Sequence, residues 1–180
     1  MKVLVTGAPG TGKTHLVDYA IKHGDTRFFD TDKVQGLCEW REYQTGTVVG
    51  PVESVTPTGG DSWYRANGWY WKEDVLEHVM GKAEDIVVCG SSDNIFDCLK
   101  YFGFIVLLYK DHSDLVRNLM QPGRDQINGT DPDHHDRIFK WQEKLLVGTK
   151  KYNPLIFTHN NVEGLYQQIV SILGTANSVN

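Results

Sequence analysis

Cysteine is scarce in this 180-residue chain, which has only Cys38, Cys89 and Cys98. Three is an odd number, and no Cys-x-x-Cys or Cys/His spacing accompanies them. Neither a disulfide framework nor a zinc site is expected, and a reducing compartment fits best. Positive charge is also thin. Eighteen Lys and Arg stand against 23 Asp and Glu, for a net charge of -5 without a basic block. Nucleic acid and anionic membrane surfaces are therefore not the expected partners. No apolar run is long enough to cross a bilayer, and the apolar start of MKVLVTGAPG breaks off in glycines where a secretory signal would continue. These absences lead to the expectation of a soluble, cytoplasmic protein, monomeric or homodimeric. An apolar content of 40% over 180 residues is enough for one well-buried core.

What is present is an alternation of short apolar runs and helical patterns. KVLV (2–5), RFFD (27–30), DIVVCG (85–90), FIVLLY (104–109) and PLIFT (154–158) read as strands. THLVDYAIKHG (14–24) and VEGLYQQIVSIL (162–173) read as helices, and KVQGLCEWREY (33–43) is expected to be helical despite Gly36. This order predicts an α/β domain over residues 1–174, a parallel sheet with helices on both faces, followed by a short polar tail, 175–180. Two stretches break the pattern. Residues 44–71 are rich in turn formers and then in aromatics, and 121–132 are polar and contain Arg124. Irregular insertions of this kind are expected to serve as an acceptor-binding loop and a lid.

The most specific motif is GAPGTGKT. It comprises Gly7, Ala8, Pro9, Gly10, Thr11, Gly12, Lys13 and Thr14, with His15 next. It satisfies G-x-x-x-x-G-K-[ST] between a predicted strand and a predicted helix, the context that the motif requires. The glycines allow a loop whose N–H groups converge on phosphate oxygens, and the helix adds its positive end. Lys13 is expected on the β- and γ-phosphates and Thr14 on Mg²⁺, so the implied ligands are ATP and Mg²⁺. The chain has no N-K-x-D for guanine and no switch motif. The strand DIVVCG ends in Cys89 and Gly90 where a remodelling ATPase carries an acid. The second carboxylate for the metal must come from elsewhere, and Asp30 at the end of RFFD is the candidate.

With these motifs the chain resembles the small P-loop kinases: the shikimate, gluconate and nucleoside monophosphate kinase group. The resemblance rests on the early P-loop, on FFDTD (28–32) and on the arginine-bearing segment VRNLMQPGRDQING. It implies a P-loop NTPase three-layer sandwich with a five-stranded parallel sheet, the P-loop strand central. It also implies Asp30 near Mg²⁺ and its waters, Asp32 on the acceptor hydroxyl, Arg117 stacked on adenine, and Arg124 reaching the transferring phosphates as the lid closes. Catalysis would then rest on Lys13, Asp32 and Arg124.

The acceptor is less defined. Shikimate kinases have a glycine triplet where this chain reads CGSSDN, so Gly90 and Ser91 are candidates for acceptor contact. Ser92 or Asp93 competes as a helix cap. No arginine follows this strand to clamp an acceptor phosphate, although Arg41 and Arg65 are available from the insertion. Within WYRANGWYW, Trp69 and its neighbours suit either stacking on a cyclic acceptor or simple burial. Asp131 and Pro132 read as a helix start more readily than as part of a metal site with His134 and His135. Arg137 and Lys144 on that helix are either phosphate contacts or solvated. Asp32 alone is explicable as a helix cap, but that leaves Asp30 without a role. A base beside a P-loop favours transfer to a hydroxyl of a small molecule. A nucleoside or nucleoside monophosphate kinase is the alternative enzyme. An ATP-binding regulatory module with slow hydrolysis is the alternative of another class.

Overall fold

The computed structural model describes residues 1–51, 60–122 and 132–176. Five strands form one parallel sheet: β1 (Lys2–Gly7), β2 (Phe28–Asp30), β6 (Ile86–Cys89), β7 (Phe104–Leu108) and β8 (Leu155–Phe157). Their order is β2-β6-β1-β7-β8, so the strand that feeds the glycine motif is central, as expected. The pairing register sets Val5 beside Cys89 and Gly7 beside Leu108.

Side chains on these strands alternate between two cores, because successive residues of a strand point to opposite faces. Val3, Val5, Val87, Val106 and Leu108 pack with Leu16, Val17 and Ala20 of α1 (Lys13–Lys22) and with Leu165, Ile169 and Leu173 of α7 (Val162–Ala176). Leu4, Ile86, Val88, Ile105 and Leu107 pack on the other face. Their partners are Leu76 of α3 (Glu73–Met80), Ile95 of α4 (Ile95–Cys98) and Leu145 of α6 (Pro132–Thr149). The result is a three-layer α/β sandwich. The remaining long helix, α5 (His112–Leu119), forms a smaller cluster with Ala8 and Ile138 through Leu115 and Leu119.

Residues 33–43 do not form the helix expected of them. Gly36 takes a left-handed φ of 74°, and Cys38–Glu42 becomes strand β3. With β4 (Val48–Pro51) and β5 (Asn67–Trp71), it makes a second, antiparallel sheet in the order β4-β3-β5. The deciding contacts are non-local. Trp40 stands opposite Trp69, their rings 4.7 Å apart, and a helical reading of 33–43 contains no trace of that partner. The insertion is thus largely regular in its described part, with α2 (Gly60–Ala66) leading into β5.

The free edge of β5 is held by Asp93 and Asn94 of the loop after β6. Asp93 Oδ2 accepts from Trp69 N (2.6 Å), and Asp93 N donates to Trp69 O (2.6 Å). Asn94 accepts from Trp71 N (3.0 Å) and donates to Trp71 O (2.9 Å). An edge strand presents unpaired N–H and C=O groups. Here four of them are satisfied by two consecutive residues, which fixes the small sheet against the large one. Among the described residues no helix is long and apolar enough to cross a membrane.

Candidate active site

The glycine motif turns tightly from β1 into α1. Gly10 and Gly12 adopt φ of 90° and 104°, values that strain any residue with a Cβ. Lys13 folds back over the loop, its Nζ donating to Gly7 O (2.6 Å) and Ala8 O (3.0 Å). α1 begins at Gly12 with no side-chain cap and no acid in its first turn, so its leading amides stay open to an anion.

A cavity of about 1300 Å³ runs past this loop. Pro9, Gly10, Thr11, Gly12, Lys13, Thr14 and His15 line its middle. One end is formed by Asp32, Trp40, Tyr43, Tyr64, Asn67 and Trp69 with the loop residues Ser91, Ser92 and Asp93. The other end carries Lys110, Asn118, Gln121, His159, Asn160 and Asn161. Helix α6 contributes Arg137, Lys140, Trp141 and Lys144 along the wall.

The two aspartates of FFDTD have distinct settings. Asp30 is buried at the end of β2, and its Oδ1 accepts from Asp32 N (3.1 Å), capping a single 3-10 turn over Thr31–Lys33. The cap is therefore Asp30 and not Asp32. Asp32 projects into the cavity. Its surroundings push its carboxyl above the ordinary aspartate range, first by desolvation and then by the Asp30 charge, with Lys13 opposing. Gly90 lies just behind: a Cβ there would meet Thr31 Oγ1 at 2.0 Å. This glycine thus makes its close approach to the turn that carries Asp32.

Asp93 is a third carboxylate at this end, also raised by burial and opposed by its Trp69 and Tyr43 hydrogen bonds and by the charges of Lys144 and Arg137. Arg137 lies 4.3 Å over the Tyr64 ring, and its buried Nε has no hydrogen-bond partner among the described residues. Ser92, 3% exposed, likewise has an unpartnered Oγ, so it caps no helix, and Asp93 spends its carboxylate on β5 instead. Ser91 accepts from Trp141 Nε1 (3.0 Å). Trp40 interlocks edge to face with the insertion's Trp63, Tyr64 and Trp69, and of these rings Trp40, Tyr64 and Trp69 also wall the cavity.

Several expected residues stand apart. Arg41 pairs with Glu39 (2.5 Å) and lies 5.3 Å over Tyr70, away from the cavity lining. Arg65 is exposed and does not line it. Arg117 is exposed on α5 and paired with Asp114, while the next residue, Asn118, reaches the loop at Gly10 O (3.0 Å). Arg124, with most of the expected lid, lies outside the described residues. Among the described residues no cluster of three His, Cys, Asp or Glu forms, so His134 and His135 belong to no metal site there. Trp40, Tyr43 and Lys110 escape a motif-based reading, because only non-local pairing brings them to the P-loop.

Shikimate kinase from Acinetobacter baumannii, solved with shikimate, superposes with a TM-score of 0.59 over 99% of this chain and 95% of its own, at 13% identity. Shikimate kinase from Aquifex aeolicus gives 0.53 over all of both chains, also at 13% identity. The chain has the fold of the small P-loop kinases. Deoxyadenosine kinase from M. mycoides, solved with dATP, shares this kinase fold more distantly, with a TM-score of 0.50 at 14% identity over 98% of this chain and all of its own. No family model and no curated protein sequence matches the chain. The small antiparallel sheet and its ring-lined wall are the part of this P-loop kinase fold that borders the end of the cavity holding Asp32.

Proposed function

We propose that the chain is an ATP-dependent phosphotransferase that moves the γ-phosphoryl of MgATP to a hydroxyl of a small-molecule acceptor. One observation carries the reading: Lys13 and Asp32 face a single cavity and feel one another's charge. The loop amides, the start of α1 and Lys13 hold the phosphates. The acceptor lies between Asp32 and the wall of Trp40, Tyr64 and Trp69. Its hydroxyl oxygen attacks the γ-phosphorus, its proton passes to the Asp32 carboxylate, and the bond to the β–γ bridging oxygen breaks to release ADP. Arg124 serves as the lid arginine that meets the transferring phosphoryl, and Arg117 remains on the nucleotide side.

Magnesium fits the donors on hand, since the Thr14 hydroxyl and the Asp30–Asp32 pair offer hard oxygens beside the phosphate loop. Thr14 would hold the ion and Asp30 would supply the carboxylate beside it, which leaves Asp32 to the acceptor hydroxyl. When bound, the ion neutralises charge on the β- and γ-phosphates.

A second reading, transfer to a nucleoside, is favoured by the ring-lined wall, since planar bases stack on aromatic faces. A coupled ADP-release screen across hydroxyl metabolites, nucleosides and nucleoside monophosphates tests both. A hydroxyl acceptor that accelerates ADP release is expected. Acceleration by nucleosides alone selects the second reading. ATP binding with no accelerating acceptor would replace both with a regulatory module of slow hydrolysis.

A further inference from the structure

Lys110 has no part in the chemistry above, yet it is 3% exposed just past the C-terminal end of β7 and borders the cavity. Its Nζ donates to Thr158 O (3.1 Å) and His159 O (2.8 Å). Its backbone is fixed just as firmly. Gln142 of α6, itself buried, accepts from Lys110 N (3.1 Å) and donates to Lys110 O (2.8 Å). No ion pair to Lys110 occurs among the described residues, and its ammonium donates to two backbone carbonyls. Burial pulls the Lys110 ammonium below the ordinary lysine range, and the nearby charges of Asp114 and Asp111 offset this only in part. A site that keeps such a group has something to hold.

What it holds is the turn between β8 and α7. Thr158, His159 and Asn160 are exposed and follow a three-residue edge strand, so the turn has little packing of its own. Further fastenings are Asn161, whose side chain accepts from Gly164 N (2.9 Å) and whose carbonyl accepts from Leu165 N (3.0 Å), and the His159 ring against Phe157 at 6.0 Å. His159, Asn160 and Asn161 all line the cavity. The direction of the nucleotide follows from its connectivity. The γ-phosphoryl must lie toward the acceptor at Asp32, and the chain then runs β-phosphate, α-phosphate, ribose, base. The nucleoside therefore points away from Asp32, to the end built by Asn118, Gln121 and this turn.

We infer that Lys110 is a positioning residue for the nucleoside half of the nucleotide: its ammonium holds the 158–161 turn in the shape that receives ribose and base. Its contribution to affinity acts through that half and leaves the phosphates to the loop. The inference rests on the nucleotide-binding reading above.

Calorimetric titration of the full chain with MgATP and with magnesium tripolyphosphate separates the two halves of the ligand. The wild type is expected to bind ATP more tightly than tripolyphosphate. In Lys110→Met, ATP binding weakens about tenfold while tripolyphosphate binding is unchanged, and Lys110→Arg, which can still donate to both carbonyls, recovers most of the loss. Unchanged ATP affinity in Lys110→Met, or an equal loss for both ligands, overturns the role of Lys110 and leaves the kinase reading standing. A wild type that binds neither ligand overturns the nucleotide reading itself. Should Lys110→Met fail to fold, Gln142→Leu decides: a smaller loss confined to ATP is expected, and an unchanged ratio of the two affinities overturns the inference.

Discussion

The phosphate loop at the middle of the cavity and the acceptor end beside it, the two ends of the proposed transfer, are made of different material. At the phosphate end, recognition falls to the backbone: two left-handed glycines, the open amides of α1 and one side chain, Lys13. At the acceptor end the lining is made of side chains, drawn from the turn after β2, from β3, α2, β5, the loop after β6 and α6. A backbone-built site comes from one contiguous stretch and tolerates little change in it. A side-chain-built site depends on how distant segments pack, and different packings suit different acceptors.

The largest separation of the two ends is expected from Lys13→Ala. Turnover should fall about 10³-fold or more, through loss of charge stabilisation on the phosphates. Acceptor binding, followed by tryptophan fluorescence, should persist. Equal loss of both would mean that the ends are not independent. Next, Asp32→Asn should lower kcat about 10²-fold with ATP affinity kept, as expected for loss of a general base. Because the Asp32 carboxyl is raised by desolvation and by Asp30, the acid limb of kcat/KM should lie above the ordinary aspartate range. Activity is present above that limb and lost as the pH falls through it, and a pH–rate profile places it.

This difference in material also decides what could be read from sequence. GAPGTGKT marked the proposed phosphate loop from sequence alone, because the chemistry it suggests needs small residues at fixed spacing. The five-stranded sheet followed from strand–helix alternation, and the central place of β1 from the resemblance to small kinases. FFDTD pointed to paired carboxylates, but their division of labour depends on one hydrogen bond, Asp30 Oδ1 to Asp32 N, that no spacing reveals. The acceptor end resisted most. Residues 33–43 look helical until Trp40 meets Trp69, and Arg41 looks like a clamp until Glu39 takes it. Ser92 and Asp93 look like caps until β5 is seen to need Asp93.

Smaller perturbations probe how the acceptor end is mounted. Gly90→Ala places a Cβ against Thr31, which is fully buried, and should destabilise the fold by about 1–3 kcal/mol while lowering kcat, since the same turn carries Asp32. Chemical denaturation and steady-state kinetics on one preparation check both effects. Asn94→Ala strips two hydrogen bonds from Trp71 and should raise the acceptor KM about threefold to tenfold, with ATP affinity unchanged. A loss shared with ATP would mean that the small sheet also supports the phosphate end. The smallest effect is on stability. A carboxyl raised in the folded state binds its proton more tightly there than in the unfolded chain. Stability therefore falls as pH rises from the ordinary aspartate range through the raised value, and Asp32→Asn should melt slightly higher than wild type at pH 7. A thermal shift measurement settles its sign.

Phosphorus NMR of the reaction with an acceptor found by the ADP-release screen tests most directly whether the two ends serve one transfer. The expected result is loss of the γ-phosphorus signal matched by a new phosphomonoester on the acceptor, one for each ADP formed. Inorganic phosphate alone, released at a rate that no acceptor changes, would contradict it.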